Sequence, residues 1–238
     1  MPDMPDSQHP QLLLDITPAA APTLDNFVAG TNTEAVAALR ELQPGRAVYL
    51  WGPQGSGRTH LLRAMVERVP GAVLLDAGTH APIFQALAAG ALPALVAIDD
   101  VQQLNDAQQA GVFALYNRWR ESAATNRAAM LVVTGDCAPL QMPLREDLRT
   151  RLGWDLVFRL ELLSDADKLS ALHAHAAARA LKVAPELLEW LITRHARDMR
   201  RLTAVLDALD HYSLATKRPV TLPLLKTMLA ENPPGNRS

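Results

Sequence analysis

The stretch Ala47-Val48-Tyr49-Leu50-Trp51-Gly52-Pro53-Gln54-Gly55-Ser56-Gly57-Arg58-Thr59-His60-Leu61-Leu62 decides how the rest of the chain is read. Its first five residues form an apolar run suited to a buried strand, and a helical pattern runs from Thr59 to Arg68. Between them lies a glycine-rich turn, Gly52–Thr59, that follows the pattern G-x-x-x-x-G-K-[ST] with Arg58 in the lysine position. Glycines let the backbone N–H groups of Gln54, Gly55, Ser56, Gly57 and their neighbours curl around phosphate oxygens, and the helix start adds its positive dipole end. Thr59 offers a hydroxyl to Mg²⁺, which keeps most of its waters. Arg58 departs from the pattern. Arginine is longer and planar and grips oxyanions as a fork, whereas lysine is a compact point charge. Nucleotide binding is therefore expected, fast hydrolysis is not, and a diphosphate suits the site better.

Outward from this turn, strands and helices alternate. Ala72–Leu75 reads as a strand, Ile83–Ala89 as a helix and Leu95–Ile98 as a buried strand ending in Asp99-Asp100. Asp106–Ser122 places Val112, Leu115, Tyr116 and Trp119 on one helical face; Met130–Val133 and the weaker Leu156–Leu160 are further strands. The pattern predicts an α/β class with a parallel sheet flanked by helices on both faces. After Leu163 the strand signals nearly vanish. Ser164 caps a helix with acids in its first turn, and helical patterns follow at 165–180, 185–196, 198–216 and 221–230. The expected organisation is a flexible arm over 1–22, a nucleotide-binding α/β domain over 23–162, a small all-helical domain over 163–232 and a disordered tail over 233–238.

Composition narrows the function. The 238 residues are 49% hydrophobic and 20% charged, with a net charge of −2. That balance lacks the basic footprint of an autonomous DNA binder. The single cysteine, Cys137, excludes an internal disulfide and a cysteine-rich zinc site. The longest stretch without acid or base, Ala77–Ile98, is broken by His80, Pro82, Gln85, Gly90 and Pro93, which no membrane span tolerates in that density. The opening Met-Pro-Asp-Met-Pro-Asp places acid where a signal peptide needs base. A soluble, cytoplasmic protein is expected.

Several further residues carry candidate chemistry. Asp99, at a strand's carboxyl end, is placed to hold the water shell of Mg²⁺, and Asp100 to polarise an attacking water. Thr134 and Asp136 end the next strand and face the γ-phosphate side of a bound nucleotide. Arg145, Arg149 and Arg151 form one basic cluster; Arg194, Arg197, Arg200 and Arg201 form another. Most of these arginines are read as solvated.

With these residues assembled, residues 24–230 resemble the AAA+ module of the DnaA family, and most closely its short regulatory-inactivator branch. Leu24-Asp25-Asn26-Phe27-Val28-Ala29-Gly30 resembles the family's N-terminal box, which lies beside the nucleotide base and would bring Phe27 and Val28 to it. Gly57–Leu62, with His60, resembles the family's P-loop and following helix, Leu95–Leu104 its acidic strand end, and Leu131–Asp136 its first sensor. Arg149-Thr150-Arg151-Leu152-Gly153-Trp154 resembles the box carrying an arginine finger, which makes Arg151 the finger acting on a neighbouring subunit's nucleotide. Asp198-Met199-Arg200-Arg201-Leu202 resembles the second sensor, with Arg200 reaching phosphates from the helical lid. Gln11-Leu12-Leu13-Leu14-Asp15-Ile16 is similar to peptides that dock on the sliding clamp, with Gln11 giving amide hydrogen bonds and Leu12, Leu14 and Ile16 filling an apolar pocket. The family's C-terminal helix-turn-helix DNA reader and N-terminal helicase-contact domain are not expected in this chain.

The resemblance implies a P-loop AAA+ fold with a small all-helical lid. It implies ADP (or ATP) as the bound nucleotide, with Mg²⁺ where a metal is held. It implies DnaA and the DNA polymerase III sliding clamp (its beta subunit) as partners, DNA only through the clamp, no membrane, and a second copy of the chain as a further partner. The implied function is stimulated hydrolysis of DnaA-bound ATP, which prevents re-initiation of chromosome replication, with weak or no ATPase of its own. Two alternatives stand beside it: a stand-alone AAA+ ATPase, against which Arg58 and the lack of Glu after Asp99 argue, and an adaptor that nucleotide merely stabilises.

Overall fold

Residues 21–194 and 199–231 are described by the computed structural model, with the side chains of Arg200 and Glu231 left aside. They form two compact units that divide between Asp167 and Lys168. The clamp-docking residues Gln11, Leu12, Leu14 and Ile16 lie outside the described residues.

The first unit is built on a five-stranded sheet of β1 (Ala47–Trp51), β2 (Val73–Leu75), β3 (Leu95–Ile98), β4 (Met130–Gly135) and β5 (Leu156–Arg159). All strands run parallel in the order β2-β3-β4-β1-β5. Residues on alternate sides of each strand enter separate cores, as the period of two requires. Tyr49, Val96, Ile98, Leu131 and Val133 pack on one face with Phe84 of α3 (Ala81–Ala89), Val112 and Leu115 of α4 (Asp106–Ser122), and Leu148 of α5 (Glu146–Leu152). Val48, Leu50, Leu95, Ala97 and Val132 pack on the other with Leu39 of α1 (Thr33–Arg40) and Leu61, Leu62 and Met65 of α2 (Arg58–Arg68). Burial on both faces explains why β1, β3 and β4 read as unbroken apolar runs.

The chain leaves β1 toward β2 and returns through β4, while β5 lies on β1's other side. The carboxyl end of β1 is therefore the point where strand order reverses, the place where open α/β sheets bind ligands. Helix α4 starts as its sequence dictates: Asn105 accepts from the Gln108 N–H at 3.0 Å, and the Gln108 side chain accepts from the Asn105 N–H at 2.9 Å. Ser164 likewise caps the next helix, its hydroxyl accepting from the Asp167 N–H at 3.1 Å.

Two short helices, α1 and α5, escape the sequence reading. Each is held by packing of a few leucines and alanines onto the sheet layers, with Leu39 and Leu148 fully buried. The strand and helix boundaries otherwise fall within a residue or two of the reading from pattern, although α6 (Asp165–Ala178) stops short of residue 180, where Ala180 turns left-handed at φ +54°.

In the second unit, α6 continues into α7 (Pro185–Arg194), α8 (Met199–Thr216) and α9 (Leu222–Glu231). Leu172, Leu187, Leu191, Leu202, Leu209 and Leu225 form its core. Asp207 ties α8 to α6, lying 2.6 Å from His175 Nε2 and 3.2 Å from Arg179 Nη1. Among the described residues no helix is long and apolar enough to cross a membrane.

Candidate nucleotide-binding site

The turn after β1 has the shape its glycines predict. Gly55 and Gly57 adopt φ +87° and +95°, conformations that L side chains rarely take. At Gly57 a second constraint applies: a Cβ there would stand 2.5 Å from the Phe27 ring. Phe27 in turn packs against His60 with ring centroids 5.4 Å apart, and His60 Nε2 lies 3.0 Å from the Thr23 carbonyl. The N-terminal box thus folds onto the first turn of α2, bringing Phe27 and the half-buried Val28 beside the loop.

Three polar groups of the loop region are buried without a hydrogen-bond partner: the Ser56 hydroxyl, Arg58 Nη1 and Asp100 Oδ1. Arg58 is 9% exposed. Its Nη1 stands 3.2 Å from Asp100 Oδ1, an ion-pair distance, but the N–H is not aligned as a hydrogen bond. Buried polar groups without hydrogen-bond partners are costly, which singles this loop region out among the described residues.

The carboxylates at the end of β3 are organised by β4. Thr134, fully buried, donates to Asp99 Oδ1 at 2.7 Å and accepts from the Asp100 N–H at 2.8 Å. Thr59 also donates to Asp99 Oδ1, at 3.2 Å. Asp100 is held left-handed at φ +46°, and Gln103 Nε2 donates to its other carboxylate oxygen at 3.1 Å. Thr59 and Asp99, the pair expected to hold Mg²⁺ and its waters, are hydrogen-bonded to each other, whereas Asp100 faces Arg58. Asp136, one residue beyond β4, is exposed and acts on its neighbour Cys137. Burial first, then that hydrogen-bonded carboxylate, push the Cys137 thiol up from its ordinary value. Tyr49, which donates to the Cys137 carbonyl at 2.8 Å, is likewise pushed up, chiefly by burial.

A second cluster of predicted residues lies where α4 and α5 meet. Arg151 is half-buried. Its guanidinium lies 3.8 Å from the Phe113 ring centroid and 4.9 Å from that of Trp154. Nε and Nη2 donate to Asn117 Oδ1 at 3.2 and 3.0 Å, and Nη1 donates to the Asp147 carbonyl at 2.8 Å. Arg145 and Arg120 flank the stack, 5.8 Å from Phe113 and 5.4 Å from Trp154. Arg149 points elsewhere, its Nη1 reaching the Leu140 carbonyl at 3.5 Å. Phe113 and Asn117 escape the sequence reading. Their four-residue spacing on the face of α4 opposite the core is the one signal available, and it gains meaning only with Arg151 beside it. Arg200 lies in the first turn of α8.

Comparison with known proteins gives a consistent picture. Residues 165–229 match the family described as "Hda, lid domain". Domain III of the Thermotoga maritima replication initiation protein DnaA superposes with a TM-score of 0.68 at 20% identity, covering 89% of this chain and 97% of that one. AMPPCP-bound DnaA from Aquifex aeolicus gives 0.62 at 18% identity, covering 79% and 64%. The Thermotoga maritima RuvB Holliday junction branch migration motor gives 0.65 at 16%, covering 88% and 71%. The sheet order, the P-loop at the reversal point and the helical unit that follows define a P-loop AAA+ fold. The family match rests on residues 165–229, and the chain shares the fold of DnaA domain III.

Proposed function

We propose that this chain is a regulatory inactivator of the replication initiator DnaA. It binds ADP in the P-loop, docks on the DNA-loaded sliding clamp through Gln11, Leu12, Leu14 and Ile16, and presents Arg151 to ATP bound by DnaA. Hydrolysis there leaves the initiator in its ADP form and prevents a second initiation. The observation that carries this reading is the preset Arg151: a half-buried guanidinium stacked on Phe113 and hydrogen-bonded to Asn117. A donor held in place before encounter needs no reorganisation when charge develops on a transferring phosphoryl group.

In this reading the catalytic centre is composite. DnaA supplies nucleotide and attacking water; this chain supplies one oriented cation. The chain's own P-loop keeps its nucleotide as a structural element, with Phe27, Val28 and His60 beside the base side of the loop and Thr134, Asp136 and Arg200 as sensors. The Hda-type lid supports assignment to the DnaA-related regulators rather than to motors. A stand-alone ATPase fits less well, because Asp100, the residue placed to polarise water, is engaged by Arg58. A second copy of the chain is a further partner for Arg151.

The test is an assay of DnaA-bound ATP in the presence of clamp and DNA. The full chain is expected to accelerate hydrolysis, and a chain lacking residues 1–16 is expected to lose the clamp-dependent part. No acceleration by the full chain overturns the proposal.

A further inference from the structure

The P-loop holds a permanent cation of its own where such loops carry a lysine. Arg58 is buried and always charged, its Nη1 has no hydrogen-bond partner, and it faces Asp100 Oδ1, which also has none. The Ser56 hydroxyl of the same loop is buried and without a hydrogen-bond partner too. Asp99 already accepts from two hydroxyls, Thr59 and Thr134. In a lysine-bearing P-loop, a divalent cation bridges phosphate oxygens and neutralises the charge they share with the acidic strand end. Here the Arg58 guanidinium lies 3.2 Å from Asp100 at that strand end. Its planar fork has donors enough to face a carboxylate on one side and a phosphoryl oxygen on the other.

We propose that Arg58 replaces the divalent cation, so that this site binds a nucleoside diphosphate without metal, the Arg58–Asp100 pair serving as built-in charge compensation. The terminal phosphate of the diphosphate completes the unpartnered Arg58 Nη1 and the Ser56 hydroxyl, while the loop N–H groups and the α2 dipole hold the rest. Asp100 offsets the guanidinium when the site is empty and leaves Arg58 free to turn its donors to the ligand. This inference rests on the nucleotide reading of the P-loop given above and names what that site demands.

The experiment is calorimetric titration of ADP into the full chain, once with excess Mg²⁺ and once with excess chelator. The dissociation constants are expected to agree within about threefold, under 1 kcal/mol. A larger loss in chelator overturns the inference and leaves the nucleotide reading standing. No binding in either buffer overturns both. Arg58→Lys keeps the charge and the fold, which thermal melting checks. It is expected to bind ADP at least about tenfold more weakly in chelator than in Mg²⁺. If that variant is as indifferent to metal as the parent, Arg58 is not the compensating cation. Asp100→Asn removes a nearby negative charge and is expected to tighten ADP binding in chelator; weaker binding also overturns the proposal.

Discussion

The Arg151 guanidinium lies over the Phe113 ring, 3.8 Å from its centre, while two of its nitrogens share the Asn117 carboxamide oxygen. These partners come from different elements, Arg151 from α5 and the other two from α4. The side chain is therefore fixed by tertiary packing before any partner arrives. A half-buried cation on an aromatic face gains roughly 0.5–2 kcal/mol, enough to select one rotamer.

Replacing Arg151 by alanine is expected to leave the melting temperature and ADP binding unchanged within error. The stimulated hydrolysis of DnaA-bound ATP is expected to fall by about 10³–10⁵, the range of arginine fingers supplied in trans. Single-turnover hydrolysis of the DnaA-bound nucleotide checks this, and full stimulation by the variant would remove Arg151 from the mechanism.

Asn117→Ala takes away the acceptor that orients two guanidinium nitrogens. The charge remains but its direction is lost. Stimulation is expected to fall about tenfold, a cost near 1.4 kcal/mol, with clamp binding intact. A leucine at the same position is expected to do no better, because the lost group is polar.

Gly57→Ala meets two obstacles, the φ of +95° and the Phe27 ring. The expected cost is about 1–3 kcal/mol of stability. ADP affinity is expected to drop as well, since relief requires moving either the loop or the ring. Chemical denaturation and titration calorimetry measure the two effects separately.

Arg46 and Asp155 form a two-pronged ion pair, Nε and Nη2 donating at 2.8 and 2.6 Å, and the Ala47 N–H donates to the same carboxylate at 2.8 Å. Partial burial pushes Asp155 upward, but the hydrogen bonds and charge of Arg46 outweigh it, and the net shift is downward. A carboxylate whose folded value is depressed stabilises the fold above its unfolded value of about 3.9 and loses that contribution as pH falls below it. Asp155→Asn is therefore expected to flatten the acid side of the stability curve below about pH 4. It is expected to cost about 1 kcal/mol or less near neutrality, because Arg46 is half-exposed. Urea midpoints across an acid pH series read this out.

The chain's own order fixed much of what the molecule became. Apolar runs buried on both faces could only be central parallel strands, and the glycines of Gly52–Thr59 could only make a loop with inward N–H groups. Local chemistry of this kind is written in neighbouring residues, so β1, β3, β4 and α4 were legible from pattern alone. Other features needed the fold. Helices α1 and α5, of eight and seven residues, are short enough that the sheet surface they cover decides their formation. The facing of Arg58 and Asp100, and the seat of Arg151 on Phe113 and Asn117, join residues some forty positions apart. No spacing rule encodes such pairs, because the distance between them is set by strand order and helix packing rather than by the length of chain that separates them.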